Sequence, residues 1–102
     1  MQIVGIVAEY NPFHTGHAYQ IGRSREQFDV KLPVVAVMSG NWVQQGTCAV
    51  ADKWVRTRLA LMGGADLVLE LPLPWSIASA EGFARGGVGL LGATGVVTHL
   101  AF

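Results

Sequence analysis

Short apolar runs rich in β-branched residues alternate along the chain with segments of helical spacing. The runs begin at Ile3 and then cover Val34–Met38, Asp66–Leu71 and Gly95–Leu100. Such runs are typical of parallel strands that are covered on both faces. Strands that alternate with helices predict an α/β domain with right-handed crossovers.

The segments between these runs predict three helices, of which the first extends from His17 to about Asp29. The second, Lys53–Met62, follows Asp52, whose side chain can cap a helix start, and it stops at two glycines. The apolar spacing of this second helix predicts an inward face of four residues: Trp54, Val55, Leu59 and Met62. We expect its basic residues to lie mostly on a solvated outer face: Lys53, Arg56 and Arg58.

A third, glycine-rich helix follows two prolines that end the third strand, and Ser76 is predicted to cap it. Glu81 and Arg85 have the spacing of a surface ion pair on this helix. The apolar side of the helix is predicted from five residues: Ile77, Ala80, Ala84, Val88 and Leu91. His99 falls inside the fourth strand pattern, so we interpret it as a structural residue.

Two histidines stand where the first predicted strand gives way to the first helix. Asn11 and Pro12 mark a turn, and His14 and His17 are three apart, so they share one face of a helical first turn. A helix start attracts phosphate through its unpaired N–H groups and its dipole, and Gly16 allows an anion to approach the backbone. The pattern therefore predicts a phosphate site, although four residues alone leave open that the histidines only cap the helix or fill a pocket.

A small polar turn, Ser39-Gly40-Asn41, follows the second strand. Because ligands of open α/β sheets lie beyond the carboxyl ends of strands, we expect this turn at the same edge as the histidines. With Lys53, it predicts a substrate edge made of Ser39, Gly40, Asn41 and Lys53. The segment 42–50 is either a loop over this site or an ordinary connection in which Trp42 is packed.

The composition fits one small domain with a substantial core. Of 102 residues, 51% are hydrophobic and 14% are charged, which excludes a disordered chain. No apolar run has the length of a membrane span, and the single cysteine, Cys48, is typical of a reducing compartment, so we expect a cytoplasmic protein without a membrane partner. The net charge of zero indicates that any contact with RNA uses a local patch or another region.

The His-x-Gly-His pattern at residues 14–17 resembles the signature of the nucleotidyltransferase superfamily, which includes class I aminoacyl-tRNA synthetases. There the histidines stabilise the charge that develops on a polyphosphate when the α-phosphorus is attacked. The resemblance implies an α/β, Rossmann-like nucleotidyltransferase fold, with helices on both faces of a parallel sheet in the order 3-2-1-4. Strand 1 is central in that order, which would bring the histidines to the topological switch point.

Longer runs resemble one family in particular, the bacterial tRNA(Met) cytidine acetate ligases. These runs are Gly5–His17, Val37–Gln44, Asp52–Trp54 and Gly64–Pro72, with a fainter match at Ala80–Gly86. They follow one another in order over nearly the whole chain. Gln45 departs from the family pattern, since members usually carry an arginine at this position.

The resemblance implies an ATP-dependent ligase. Members of the family activate acetate with ATP to acetyl-adenylate, release pyrophosphate, and acetylate the exocyclic amine of the wobble cytidine in elongator tRNA(Met). Acetate is already an anion, so the reaction needs positioning and charge neutralisation rather than a base. Mg²⁺ is expected to bind through the phosphates, without a metal site on the protein.

The family also implies roles for individual residues. His14 and His17 would contact the phosphates as the catalytic residues. The implied ATP-binding stretch runs without a gap through the first loop and the first helix: Val7, Ala8, Glu9, Tyr10, Asn11, Pro12, Phe13, His14, Thr15, Gly16, His17, Ala18, Tyr19 and Gln20.

Relatives in this family continue past the position of Phe102 into a long region with further ATP contacts and most of the tRNA surface. We therefore expect residues 1–102 to be the N-terminal ATP-binding domain, truncated at its C-terminal end, weak or inactive alone, and able to self-associate through an exposed sheet edge. Two alternatives stay open, a small-molecule adenylyltransferase of the phosphopantetheine type and a non-catalytic nucleotide-binding fragment.

Overall fold

The computed structural model describes residues 2–11, 13–26 and 32–101. The elements in chain order are β1 (Val4–Ala8), α1 (Thr15–Glu26), β2 (Val34–Ser39), a 3-10 turn (Gln44–Gly46), α2 (Lys53–Met62), β3 (Leu67–Leu71), α3 (Leu73–Ser76), α4 (Ala80–Ala93) and β4 (His99–Ala101). No helix in these ranges is long and apolar enough to cross a membrane.

The strands form one parallel sheet in the order β3-β2-β1-β4. This confirms the predicted topology, with β1 in the interior of the sheet. One apolar cluster packs Ile21 of α1 and Ala60 of α2 against one face, and a second packs Phe83 and Leu91 of α4 against the other. Both faces are therefore covered, as the apolar runs predicted.

Two strand boundaries differ from the prediction. The third strand begins at Leu67, because the Asp66 carboxylate turns back to accept the N–H of Val34 at 2.8 Å and the guanidinium of Arg25 at 2.6 Å. The fourth strand is shorter than predicted and begins at His99. Gly95 adopts a positive φ of 73° and turns the chain, so residues 96–98 approach the sheet as a loop before the strand begins.

The first two helices occur where the pattern placed them. The first begins at Thr15, two residues before the predicted start, and the predicted end, including Phe28, lies outside the described residues. The second has the predicted bounds, and the Asp52 side chain accepts the N–H of Val55 at 2.9 Å, which confirms the cap. The Glu81–Arg85 ion pair on α4 is also confirmed, at 3.2 Å.

The predicted inward face of α2 is wrong at three of its four residues, and the fourth, Leu59, is half-buried. Trp54 is 73% exposed and Met62 is 77% exposed, and Val55 is exposed as well. The residues that α2 buries are Arg56 and Ala60. Apolar spacing failed at Arg56 because this part of the helix faces backbone carbonyl groups at the strand ends, which need a hydrogen-bond donor rather than an apolar side chain, whereas Ala60 packs in the apolar core.

Ser76 does not cap the glycine-rich helix. It ends α3, is buried, and donates its hydroxyl to the Trp42 carbonyl at 2.5 Å, whereas Ser79 caps α4 by accepting the N–H of Gly82. The residues that α4 buries are Phe83, Gly87 and Leu91, so of the predicted side only Leu91 is confirmed. Gly87 allows the close approach, since a methyl group there would overlap the Val7 side chain.

Candidate functional site

A cavity of about 560 Å³ opens beyond the carboxyl end of β1. One wall comes from β1 and the chain that follows it: Val7, Glu9, Tyr10, Asn11, His14 and His17. Gln44 of the 3-10 turn and an apolar wall of α4 complete the lining: Ala80, Phe83, Ala84 and Val88. Three residues of the predicted inner side of α4 therefore face this cavity rather than the core.

His14 and His17 stack on each other at the N-terminal end of α1, with ring centroids 3.8 Å apart. Nδ1 of His14 accepts the Gly16 N–H at 3.0 Å, and Nδ1 of His17 accepts the His14 N–H at 3.1 Å. A ring nitrogen that accepts a hydrogen bond carries no proton, so each neutral imidazole carries its proton on Nε2. The pair therefore offers two Nε2–H donors whose orientation the backbone fixes.

The pKa of His17 lies below its ordinary value of 6.5. Burial is the main cause, because it disfavours the imidazolium, and the neighbouring His14 lowers the pKa further through charge repulsion. At neutral pH His17 is therefore an uncharged hydrogen-bond donor.

Tyr10 packs against the histidine pair through its contact with His17. Its ring meets those of Phe13 and His17 edge-on, with centroids 4.8 and 4.9 Å away. Its φ of 48° is a left-handed conformation that is uncommon for a residue with a large side chain. Burial raises the pKa of its phenol to about 12, so the side chain stays neutral and acts as a packing wedge.

Two hydrogen bonds join the β1–α1 loop to the segment after β2. The Glu9 carboxylate accepts the N–H of Gln44 at 3.0 Å, and the Asn11 side-chain oxygen accepts the N–H of Val50 at 2.7 Å. An antiparallel bridge between Trp42 and Cys48 closes the segment on itself. The segment 42–50 is thus an ordered loop beside the cavity, which favours the first of the two sequence interpretations.

Arg56, which the sequence placed on a solvated face, is completely buried. Its guanidinium donates to the carbonyl oxygens of Glu9 at 2.8 Å, Ser39 at 3.1 Å and Ala51 at 2.9 Å, and to that of Gly40. Burial lowers its pKa, and the acidic side chains of Glu9, Asp52 and Glu70 oppose that effect. One cation therefore ties together the carboxyl ends of β1 and β2.

Sequence spacing could not have revealed this role. The carbonyl groups come from residues as many as 47 positions away, and only the folded chain brings them to α2. The expectation does hold for Arg58, which is exposed.

The structure separates the predicted site residues into two groups. His14 and His17 come together at the first cavity with Val7, Glu9, Tyr10 and Asn11. Phe13 packs on Tyr10, and Pro12 lies outside the described residues. The other residues of the implied ATP stretch do not line this cavity: Ala8, Thr15, Gly16, Ala18, Tyr19 and Gln20.

The predicted substrate edge lies at the same edge of the sheet, one strand away. Gly40, Asn41 and Lys53 line a second cavity of about 230 Å³, and Ser39 is fully buried with its carbonyl bound by Arg56.

The sequence pattern of the family described as HIGH Nucleotidyl Transferase matches residues 1–102. The chain belongs to the HIGH nucleotidyl transferase family. The match covers the histidine pair at the start of α1, which directly follows the interior strand β1.

Among curated proteins, the chain is 56% identical over its whole length to the tRNA(Met) cytidine acetate ligase of Syntrophomonas wolfei and 51% identical to that of Clostridium kluyveri. It spans 24% and 25% of those proteins, respectively, about a quarter of their length.

Solved structures of Thermotoga maritima TmcAL show the same fold. The form bound with alpha-thio ATP superposes with a TM-score of 0.90 at 50% identity, covering 98% of this chain and 24% of that one. The apo form gives a TM-score of 0.92 at 49% identity, covering all of this chain and 24% of that one.

Within this HIGH nucleotidyl transferase domain, the described residues hold no group of three or more histidine, cysteine or acidic side chains that could bind a metal ion. Glu9 is the acidic side chain in the lining of the first cavity, and one of its oxygens already accepts from Gln44.

Proposed function

We propose that this chain is the ATP-binding domain of a tRNA(Met) cytidine acetate ligase, which activates acetate as acetyl-adenylate. The observation that carries the proposal is the stacked His14–His17 pair, whose two Nε2–H donors are fixed by backbone hydrogen bonds at a cavity of about 560 Å³. The similarity of the chain to a TmcAL structure bound with alpha-thio ATP supports ATP as the ligand.

In the proposed reaction, an acetate oxygen attacks the α-phosphorus of ATP. The bond to the bridging oxygen breaks, and its electron pair leaves with pyrophosphate. His14 and His17 donate hydrogen bonds to the polyphosphate, where negative charge grows as the bond breaks. Both side chains act as hydrogen-bond donors, so they stabilise this charge without transferring a proton.

The apolar wall of α4 complements the histidines. Ala80, Phe83, Ala84 and Val88 form a surface on which the adenine and ribose can lie while the phosphates meet the helix start. Arg56 maintains the relative position of the two strand ends on which this geometry depends.

The donor set fits an Mg²⁺ ion whose ligands are phosphate oxygens and water. When bound, it neutralises charge on the polyphosphate, and Glu9 is the carboxylate from this cavity that could hold one of its waters.

The second half-reaction would transfer the acetyl group to the exocyclic amine of the wobble cytidine of elongator tRNA(Met), in the cytoplasm. We expect most tRNA contacts in the remainder of such a ligase, because this chain has a net charge of zero. Exposed apolar residues on α2 and β3, including Trp54, Met62 and Leu67, are consistent with self-association or with a covering region.

Acetate-dependent exchange of labelled pyrophosphate into ATP tests the proposal. In a full-length ligase that carries this domain, we expect exchange with acetate that stops when His14 and His17 are both replaced by alanine. Exchange that requires phosphopantetheine instead of acetate would identify the adenylyltransferase alternative. Saturable ATP binding without exchange under any of these conditions would identify a non-catalytic nucleotide-binding fragment.

A further inference from the structure

The second cavity presents a mixed set of polar groups to solvent. It lies at the carboxyl ends of β2 and β3, and its lining includes Asn41, Trp42, Lys53 and Glu70. Lys53 Nζ and Glu70 Oε1 are 2.9 Å apart, and their side chains are 29% and 53% exposed. An acceptor and a donor therefore stand side by side where a ligand can reach them.

Local contacts hold these groups in place. The Asn41 oxygen accepts the N–H of Lys53 at 2.7 Å, so the Asn41 amide group keeps its NH₂ as the available donor. Gly40 makes room for the Glu70 carboxylate, since a methyl group at Gly40 would overlap Glu70 Oε2. The Gly40 carbonyl is bound by Arg56, which fixes the turn itself.

We propose that this cavity receives the cytosine base that accepts the acetyl group, an inference that rests on the proposed function. The Watson–Crick edge of cytosine presents one donor, the exocyclic amine, followed by two acceptors, N3 and O2. Glu70 supplies an acceptor, and Lys53 and Asn41 supply donors, which is the complementary set. Uracil reverses the first two positions and would set its O4 against the Glu70 carboxylate.

Trp42 supplies a surface for the flat face of the base. It is 48% exposed, and its backbone is held by the bridge to Cys48 and by the Ser76 hydroxyl at 2.5 Å. Unpaired bases in protein–RNA complexes commonly stack on an aromatic side chain while their Watson–Crick edge is read. Trp42 and the Lys53–Glu70 pair meet both requirements in one cavity.

The charge distribution argues against a small anion as the occupant. The ammonium group of Lys53 is already paired with Glu70, so a carboxylate or phosphate would meet a neighbouring negative charge. A neutral base with both donors and acceptors meets no such repulsion.

The two cavities lie beside the same loop. Gln44 lines the first, and Asn41 and Trp42 line the second. Arg56 connects their backbones through the Glu9 and Gly40 carbonyls. This places the proposed amine acceptor next to the nucleotide cavity, where an acyl-adenylate would form.

Titration of the chain with cytidine and with uridine tests the proposal, with the indole N–H signals of the tryptophans followed by NMR and Trp42→Phe used to assign the reporter. We expect cytidine to bind about tenfold more tightly than uridine, as expected for one well-matched polar edge. Glu70→Gln should bring this ratio close to one, because an amide can rotate to offer either a donor or an acceptor. Lys53→Met should weaken cytidine binding as a second, independent variant.

Glu81→Gln is the matched control, since Glu81 is also an exposed carboxylate in an ion pair and is not among the residues that line this cavity. It should leave the ratio unchanged. No cytidine-dependent shift up to about 10 mM, equal binding of the two nucleosides, or an unchanged ratio in folded Glu70→Gln would each overturn the inference.

ATP titrated into the same sample separates this inference from the proposed function. Failure of ATP to bind, together with cytidine selectivity that depends on Glu70, would reject the ligase and leave a cytosine site. ATP binding and acetate-dependent exchange without nucleoside selectivity would reject the cytosine site and leave the first half-reaction.

Discussion

Arg56 is the residue on which both strand-end loops depend. Its guanidinium donates to carbonyl groups of Glu9, Ser39, Gly40 and Ala51, of which the bonds to Ser39 and Gly40 are buried and the other two partly buried. A buried acceptor that loses its donor costs about 1–3 kcal/mol, and two fully buried bonds are involved here.

We therefore predict that Arg56→Met lowers the free energy of unfolding by about 3–5 kcal/mol, as measured by urea denaturation. Arg56→Lys should recover only part of this loss, because an ammonium group lacks the planar fork that reaches several carbonyls at once. Arg58→Met, two residues along the same helix and exposed, should change the free energy by less than about 0.5 kcal/mol. Equal effects at the two positions would show that the hydrogen bonds of Arg56 to the strand-end carbonyl groups do not stabilise the fold.

The protonation state of the histidine pair leads to a second prediction at this scale. Because both Nδ1 atoms accept backbone N–H groups and the pKa of His17 is below 6.5, His17 does not titrate above neutral pH. We predict that the Kd for ATP changes by less than about threefold between pH 7.5 and 9, where the phosphates are already fully ionised.

An imidazolium donor would behave differently. Its proton would be lost as the pH rises, and the charge-assisted bond would go with it. A tenfold or greater weakening of ATP binding across this pH range, measured by calorimetry and absent in His17→Asn, would show that His17 binds as a cation.

At the scale of elements, the strands were predictable and the helix faces were not. The strand at Val34–Ser39 is buried throughout and apolar from Val34 to Met38, so its sequence alone requires cover on both faces. The inner face of α4 depends instead on Gly87 fitting against Val7, a contact between residues that are distant in sequence. The inner face of α2 depends on Arg56, whose partners lie in three other segments.

The same distinction applied to the site. The position of His14 and His17 followed from a strand, a turn and a helix start that are adjacent in sequence. The apolar wall formed by Ala80, Phe83 and Ala84 did not follow, because only the packing of α4 across β1 brings it to the histidines.

The glycines of α4 provide a prediction at this scale. A methyl group at Gly87 would lie 2.7 Å from Cγ2 of Val7 and still closer to Cγ1, whereas nothing lies within 4 Å of one at Gly89. Gly87→Ala should therefore lower the free energy of unfolding by about 1–3 kcal/mol, and Gly89→Ala should raise it by about 0.5–1 kcal/mol through helix propensity. Stabilisation by both variants in urea denaturation would show that α4 does not pack closely on β1.

At the scale of the whole molecule, the sheet order explains why the proposed site lies beside the loop that follows β1. With the order β3-β2-β1-β4, the connection from β1 to β2 through α1 lies on one face of the sheet and the connection from β3 to β4 through α4 lies on the other, so a crevice forms beyond the carboxyl end of β1. The histidines, the Glu9 loop and the wall of α4 all meet at that crevice. We therefore propose that this crevice binds the polyphosphate of ATP through His14 and His17.

Calorimetric titration of ATP into the chain and into its His14→Ala/His17→Ala double variant tests that claim most directly. We predict saturable binding by the chain, at least about a hundredfold weakening in the double variant, and no change in His99→Ala, which replaces the histidine on strand β4. Circular dichroism must show that all three proteins are folded. A folded double variant that binds ATP as tightly as the parent chain would contradict the account.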